Sequence, residues 1–284
     1  MTTSSAIPQD TVSAIVADYL SGMKTLDVAS KHRVHICTVL ESVRRRGHHV
    51  RNASESRRSH VCDHHYFDAI DTEAKAYWLG FFSADGCVNS GNRIALVLAS
   101  ADCGHVEKFR DALGSDHPIA EVKSRGFGGG YTAVRFTVRS PEMTAALARL
   151  GVGARKSMTF VAPALRPDLV RHFWRGMVDG DGCIFSVKTN GAWGVGLTGS
   201  RASMEQYAAF VATLCPTRAT LQPNGRIWSF PVTTHNAAAV LHELYGGATV
   251  YLDRKHSLYL RASAENFGAK RPVDAARQRL RRAA

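Results

Sequence analysis

The sequence predicts an α+β fold in which one helix–hairpin–helix–hairpin–helix unit occurs twice, behind a small all-α module. Three observations predict it. A nonapeptide, Trp78-Leu-Gly-Phe-Phe-Ser-Ala-Asp-Gly86, returns as Trp174-Arg-Gly-Met-Val-Asp-Gly-Asp-Gly182. After each copy, helical and alternating apolar segments follow in the same order. The first fifty residues show only helical spacing, and a polar stretch rich in Ser, Arg and His comes after them.

Composition narrows the class. With 284 residues, 45% hydrophobic and 21% charged, the chain suits one large domain with an appendage, or two modest domains. A formal net charge of +12 favours a polyanionic partner, since each neutralised phosphate releases condensed counterions. Cys37, Cys62, Cys87, Cys103, Cys183 and Cys215 form no CxxC pair, which argues against a disulfide framework or a standard zinc site. The segment MTTSSAIPQD lacks the features of a secretion signal, and no apolar run is long enough to span a bilayer. A soluble, cytoplasmic protein with reduced thiols is the expectation.

The elements follow in order. In residues 1–51, Val12, Ile15, Val16, Tyr19 and Leu20 recur at helical spacing, and Ser21-Gly22 ends that helix. A short segment, Thr25 to Lys31, leads through a turn into a helix over roughly His35 to Arg46. Ile36, Val39, Leu40 and Val43 are expected on its apolar back; His35, Thr38, Ser42 and Arg45 on its polar front. Residues 52–65 read as a linker, 66–160 as the first repeat and 161–265 as the second. In the first repeat a strand-rich stretch (Arg93 to Ser100), a helix (Cys103 to Leu113), two strands around Gly126 to Gly130 and a helix (Pro141 to Leu150) follow the nonapeptide. In the second, strands surround Asn190-Gly191, Arg201 to Leu214 is helical, a hairpin turns at Asn224-Gly225, and His235 to Tyr245 is helical. Residues 266–284 are a basic tail.

The nonapeptide carries the chemistry. Gly80 with Ala84, and Gly176 with Gly180, are small residues at i and i+4, sharing one helix face. Two such faces let two backbones approach closely. After each pair come an Asp and a Gly that suits a left-handed helix end. Asp85 and Asp181 therefore sit at helix C-termini, where the macrodipole disfavours negative charge. Two carboxylates brought together there call for a hard cation such as Mg²⁺, with Mn²⁺ expected to substitute.

These segments, aligned without gaps, resemble the paired motifs of the monomeric LAGLIDADG homing endonucleases, and the resemblance covers roughly Tyr66 to Arg261. The resemblance implies two pseudo-symmetric αββαββα repeats with saddle-shaped antiparallel sheets. It also implies metal-dependent, site-specific hydrolysis of both strands of a long asymmetric DNA target by a monomer. Asp85 and Asp181 match the metal-binding acid. Lys156 and Lys255 resemble the basic residues that close each repeat, at intervals of 156 − 85 = 71 and 255 − 181 = 74; each could stabilise charge on the scissile phosphate or hold the attacking water. Ser83 departs from the motif where Asp179 keeps its acid. The segment from Gly22 to Gly47 resembles the helix-turn-helix of resolvases and invertases.

On this reading the sheets lie along the major groove. In Tyr131 to Arg139, alternation puts Tyr131, Ala133, Arg135, Thr137 and Arg139 on one face and Thr132, Val134, Phe136 and Val138 on the apolar one. Candidate DNA contacts are Thr38, Ser42, Arg45, Lys123, Arg125, Arg135, Arg139, Lys188, Arg218 and Arg226. Two alternatives stand beside the nuclease: a non-cleaving DNA-binding transcription regulator of the same fold, and an intron RNA maturase. An intein is disfavoured, because His235-Asn236 is internal.

Overall fold

A computed structural model describes residues 7–52, 55–126, 129–154, 156–187, 191–265 and 267. Of the segments discussed above, Lys188, Asn190, the tip of the Gly126 to Gly130 turn and all of the basic tail except Phe267 lie outside the described residues. The chain divides into two compact units, Met1–Val61 and Cys62–Ala284.

The first unit holds α1 (Gln9–Leu20), α2 (Thr25–His32) and α3 (Ile36–Arg45). Ile15, Val16, Tyr19, Val28, Ala29, Val39 and Val43 form its core. The turn between α2 and α3 is tight: Arg33 takes a left-handed conformation at φ 53°, and Val34 N–H returns to Ala29 O at 3.0 Å. The Arg51 guanidinium stacks on the Tyr19 ring at 4.1 Å and donates to the carbonyls of Tyr19, Gly22 and Met23, closing the unit. Two expectations fail on α3. Ile36 is exposed rather than packed, and Ser42 is buried, its hydroxyl donating to Thr38 O at 2.7 Å.

The second unit contains the two repeats. The first is α4 (Glu73–Asp85), β1 (Gly86–Asn89), β2 (Arg93–Ala99), α5 (Cys103–Ala112), β3 (Ala120–Gly126), β4 (Gly129–Arg139) and α6 (Pro141–Arg149). The second is α7 (Pro167–Asp181), β5 (Gly182–Ser186), β6 (Trp193–Gly199), α8 (Arg201–Leu214), β7 (Gln222–Asn224), β8 (Ile227–Thr233) and α9 (Thr234–Tyr245), with α10 (Asp253–Ala264) appended. Each repeat builds a four-stranded antiparallel sheet, ordered β1-β2-β4-β3 and β5-β6-β8-β7. The fold is α+β, and the αββαββα order occurs twice, as the repeated nonapeptide implies. Cys62 to His65, polar enough to read as linker, folds with this unit: Cys62 packs on its core, and Asp63 N–H donates to Leu113 O at 2.8 Å.

Helices α4 and α7 form the centre. From Ala76 to Ser83 every residue of α4 is buried, so the helix is apolar all round because protein surrounds it. One face of each sheet packs on these helices through Ile94, Leu96, Phe136 and Val138 in the first repeat, and Val195, Leu197, Phe230 and Val232 in the second. Alternation leaves the other face of the first sheet open; on the second, Gly194 and Gly196 of β6 are buried as well, with the Phe185 ring against Gly194. At the start of β4 the alternation slips: Ala133 is fully buried and Thr132 exposed, opposite to the expected assignment.

Candidate nucleic-acid and metal site

The site begins with the α4–α7 contact. A Cβ placed on Gly80 would lie 2.0 Å from Phe173 O, and one on Gly176 would lie 2.1 Å from Tyr77 O. These collisions are equivalent, since 176 − 80 = 96 and 173 − 77 = 96. At the next turn a Cβ on Gly180 would lie 2.3 Å from that of Ala84. The small residues thus meet across a pseudo-two-fold axis, backbone on backbone.

That contact delivers both helix C-termini to one place. Asp85 ends α4 and Asp181 ends α7, and a Cβ on Gly180 would lie 3.3 Å from Asp85 Oδ2. Both residues are exposed, although their carboxyl groups sit against the closely packed ends of the two helices. Burial raises the Asp85 pKa to about 6, with Asp181 adding to the rise and Lys255 and Lys156 opposing it. Burial also raises that of Asp181, against Lys156 and Lys255. Beside Asp181 lies a recess of about 150 Å³, lined by Ser83 and Ala84 of α4 and by Thr198 and Ile227 of the second sheet.

The glycines after the acids do not turn left-handed, contrary to expectation. Gly86 (φ −74°, ψ 149°) and Gly182 (φ −92°, ψ 175°) are extended and lead straight into β1 and β5. Glycine is needed for space: a Cβ on Gly86 would lie 2.4 Å from Phe82 O, and one on Gly182 would lie 2.6 Å from Val178 O. The helix-to-strand change is therefore immediate, and each acid stands at the rim of its own sheet.

Both lysines reach these helix ends. Lys156 donates to Gly86 O, and Lys255 donates to the equivalent Gly182 O at 2.7 Å. Lys255 goes further. It is 3% exposed, and its ammonium also donates to Val178 O at 2.6 Å, Asp179 O at 2.7 Å and Gly180 O at 3.4 Å. Burial brings its pKa down to about 8, although Asp179 pulls the other way. The ammonium caps the C-terminus of α7, with its protons directed at backbone carbonyls. Lys156 is half-buried, its pKa likewise lowered by burial.

A buried polar network lies below the acids. Asp179, with no exposure, accepts from Tyr77 Oη at 2.7 Å, Tyr245 Oη at 2.5 Å and Leu252 N at 2.7 Å. Arg175, also without exposure, donates to Val250 O, Leu244 O and Glu73 Oε1, the last at 2.7 Å. Each joins the two repeats. Their counterparts at the first nonapeptide are Leu79 and Ser83, and the Ser83 hydroxyl turns back to Leu79 O at 2.7 Å. The sequence signal was present, as an Arg and an additional Asp inside an apolar helix.

The DNA-contact candidates scatter. Arg135 and Arg139 are exposed on the open face of the first sheet, as expected. Lys123 is exposed on β3; Arg125 lies on the same strand, at a position where only the backbone is described. Arg226 lies in the β7–β8 turn and Arg218 in the α8–β7 loop, both exposed. Arg45 is exposed and pairs with Glu41 at 2.9 Å, while buried Ser42 reaches no surface. Thr38 is half-buried, and the exposed residues of α3 are Ile36, Cys37, Glu41, Arg44 and Arg45. Arg93, not among the candidates, shares the open face with Arg135 and Arg139, and the burial of Ile94, Leu96 and Leu98 could have shown it.

No family model matches the chain, and no curated protein matches it. Among solved structures it is similar to the N-terminal LAGLIDADG domain of DUF199/WhiA, at 11% identity over 69% of this chain and 93% of that one, with a TM-score of 0.44. Full-length DUF199/WhiA from Thermatoga maritima gives 12% identity over 78% and 71%, with a TM-score of 0.47. The LAGLIDADG meganuclease I-AabMI bound to uncleaved DNA gives 12% over 66% and 89%, with a TM-score of 0.45. The repeat architecture rests on this chain's own topology. Among the described residues no helix is long and apolar enough to cross a membrane.

Proposed function

We propose that the second unit is a divalent-metal-dependent endonuclease acting on specific double-stranded DNA sites. The observation that carries this reading is the pairing of Asp85 and Asp181 at the adjacent ends of α4 and α7. Two acids with raised pKa values at two dipole-negative termini form a site that a cation stabilises.

The donor set fits Mg²⁺, which is commonly held by one or two carboxylates and completes its shell with water and phosphate oxygens. Among the described residues no cluster of three or more His, Cys, Asp or Glu side chains surrounds a common point, so water and phosphate would supply the remaining ligands. Bound there, the ion would supply an activated water and charge neutralisation at the phosphate. The chain's own task is positional. The glycine contact sets the spacing of Asp85 and Asp181, while Lys156 and Lys255 fix the helix ends that carry them. The sheets that start at Gly86 and Gly182 would lie on the duplex on either side, and the first unit would add a DNA contact through the exposed side of α3.

A second reading is a DNA-binding regulator that does not cut. What favours it is the engagement of Lys255, whose ammonium spends its protons on helix-end carbonyls rather than on a phosphate. Challenging a randomised plasmid-site library with Mg²⁺ separates the two. For a nuclease, wild type linearises a subset of sites, while Asp85→Asn and Asp181→Asn bind those sites and leave them intact. Specific binding by wild type with no cleavage, in Mg²⁺ or Mn²⁺, would establish the regulator.

A further inference from the structure

The open faces of the two sheets differ in charge. On the first, Arg93 of β2 stands directly opposite Arg139 of β4, and Arg135 stands opposite Val97. All three arginines are exposed, and none of the ion pairs among the described residues involves them. Other cations of this unit do have acids at hand: Lys75 on Asp71, Lys108 on Asp253, Arg149 on Asp68 and Arg254 on Asp102, each within 3.2 Å. Like charges directly opposite in a ladder oppose folding, and a bound anion reverses the sign.

The register defines the equivalent positions. Gly86 pairs with Leu96 and Leu96 with Phe136; Gly182 pairs with Leu197 and Leu197 with Phe230. Counted from these rows, Arg93, Arg135 and Arg139 correspond to Gly194, Ser229 and Thr233. Among the described residues, the open face of the second sheet's strands carries no charged side chain. The Phe185 ring lies over Gly194, where a Cβ would come within 2.5 Å of it, so an apolar surface stands where the first sheet has Arg93.

We infer that the two sheets hold a DNA duplex unequally, the first gripping one half of the site through Arg93, Arg135 and Arg139. That half is read through guanine edges and phosphates, the chemistry a guanidinium fork fits. The other half is met by shape and by neutral strand contacts from Thr198, Ser229 and Gln222, with exposed Arg226 confined to the β7–β8 turn. The inference rests on the proposed DNA-binding reading and assigns the specificity of that same surface.

The test uses the full chain and duplex DNA. Sites are first selected from a random pool by binding alone. Affinity for a selected duplex is then measured against salt for wild type and two triple variants, R93Q/R135Q/R139Q and T198A/Q222A/S229A. The expected result is guanine enrichment on one side of the site only. The arginine variant should lose ~10-fold or more in affinity near 0.1 M salt, with a slope of log affinity against log salt shallower by about 2–3; the neutral variant should lose less than about threefold. Enrichment on both sides with equal losses overturns the inference and leaves the DNA-binding reading intact. Binding that neither variant weakens also overturns it, assigning the affinity to other surfaces such as the first unit. A wild-type chain that selects no duplex overturns the DNA-binding reading, and the inference with it.

Discussion

Lys255 shows how far a single residue's role depends on where its protons go. Its ammonium spans four carbonyls at the end of α7, so Lys255→Met leaves buried acceptors unpaired and removes a cation from a helix C-terminus. A loss of at least ~2 kcal/mol in stability is expected, measurable by urea denaturation. Half-buried Lys156, seen to donate to one carbonyl, should cost less when replaced by Met. Equal losses would show that the two caps are energetically equivalent despite their geometry. His105 gives a pH prediction. It is 2% exposed, and burial, assisted by Lys108, lowers its pKa to about 3. Tyr77 Oη donates to Asp179, so His105 Nε2–H must donate to Tyr77 Oη at 3.0 Å, which leaves Nδ1 bare. The unfolded chain therefore binds a proton from about pH 6.5 downward that the folded chain refuses. Stability contributed by neutral His105 is complete above pH 6.5 and falls as pH drops toward 3, by at most about 1.4 kcal/mol per pH unit. His105→Gln should flatten stability against pH in that window. An unchanged slope would show that other groups govern it.

Among the elements, the α4–α7 pair is least tolerant. Gly176→Ala drives a methyl group into Tyr77 O and Phe81 N, backbone atoms that yield only if the helices separate. The expected cost is about 4 kcal/mol or more, seen as loss of the cooperative thermal transition or of soluble protein. By contrast, Gly114 has a positive φ but an open surrounding; Gly114→Ala should cost only about 1–2 kcal/mol of backbone strain. If the two variants proved equally stable, the interhelix distance would be more adaptable than its geometry implies.

For the whole molecule, the two units have separate cores, one built on Ile15, Val39 and Val43 and the other on both repeats. Deleting residues 1–61 should therefore leave the second unit folded, with its own cooperative transition. If the first unit contributes DNA contacts, the deletion shortens the footprint and weakens binding. An unchanged footprint and affinity would remove the first unit from DNA recognition. The two repeats differ in side chains at equivalent positions. Arg175 and Asp179 have Leu79 and Ser83 as counterparts, and Arg93 has Gly194, so neither the core nor the open faces obey the symmetry of the backbone.

The duplication, the α+β order and the meeting of Asp85 with Asp181 were legible in the order of residues alone. Each follows from local spacing: small residues at i and i+4, alternation in strands, and a nonapeptide used twice. It also placed Arg135 and Arg139, because Phe136 and Val138 between them had to face the core. It could not place Ser42 or Lys255. Polar residues on a helix read as solvated until another element is known to cover them, and their partners are backbone groups, which leave no mark in composition. The conformations of Gly86 and Gly182 were likewise decided in three dimensions, where the excluded volume of Phe82 and Val178, rather than a left-handed turn, demands glycine. The contrast between the two open faces needed the strand register as well, since only paired rows show that Arg93 meets Arg139 on one sheet and Gly194 meets Thr233 on the other.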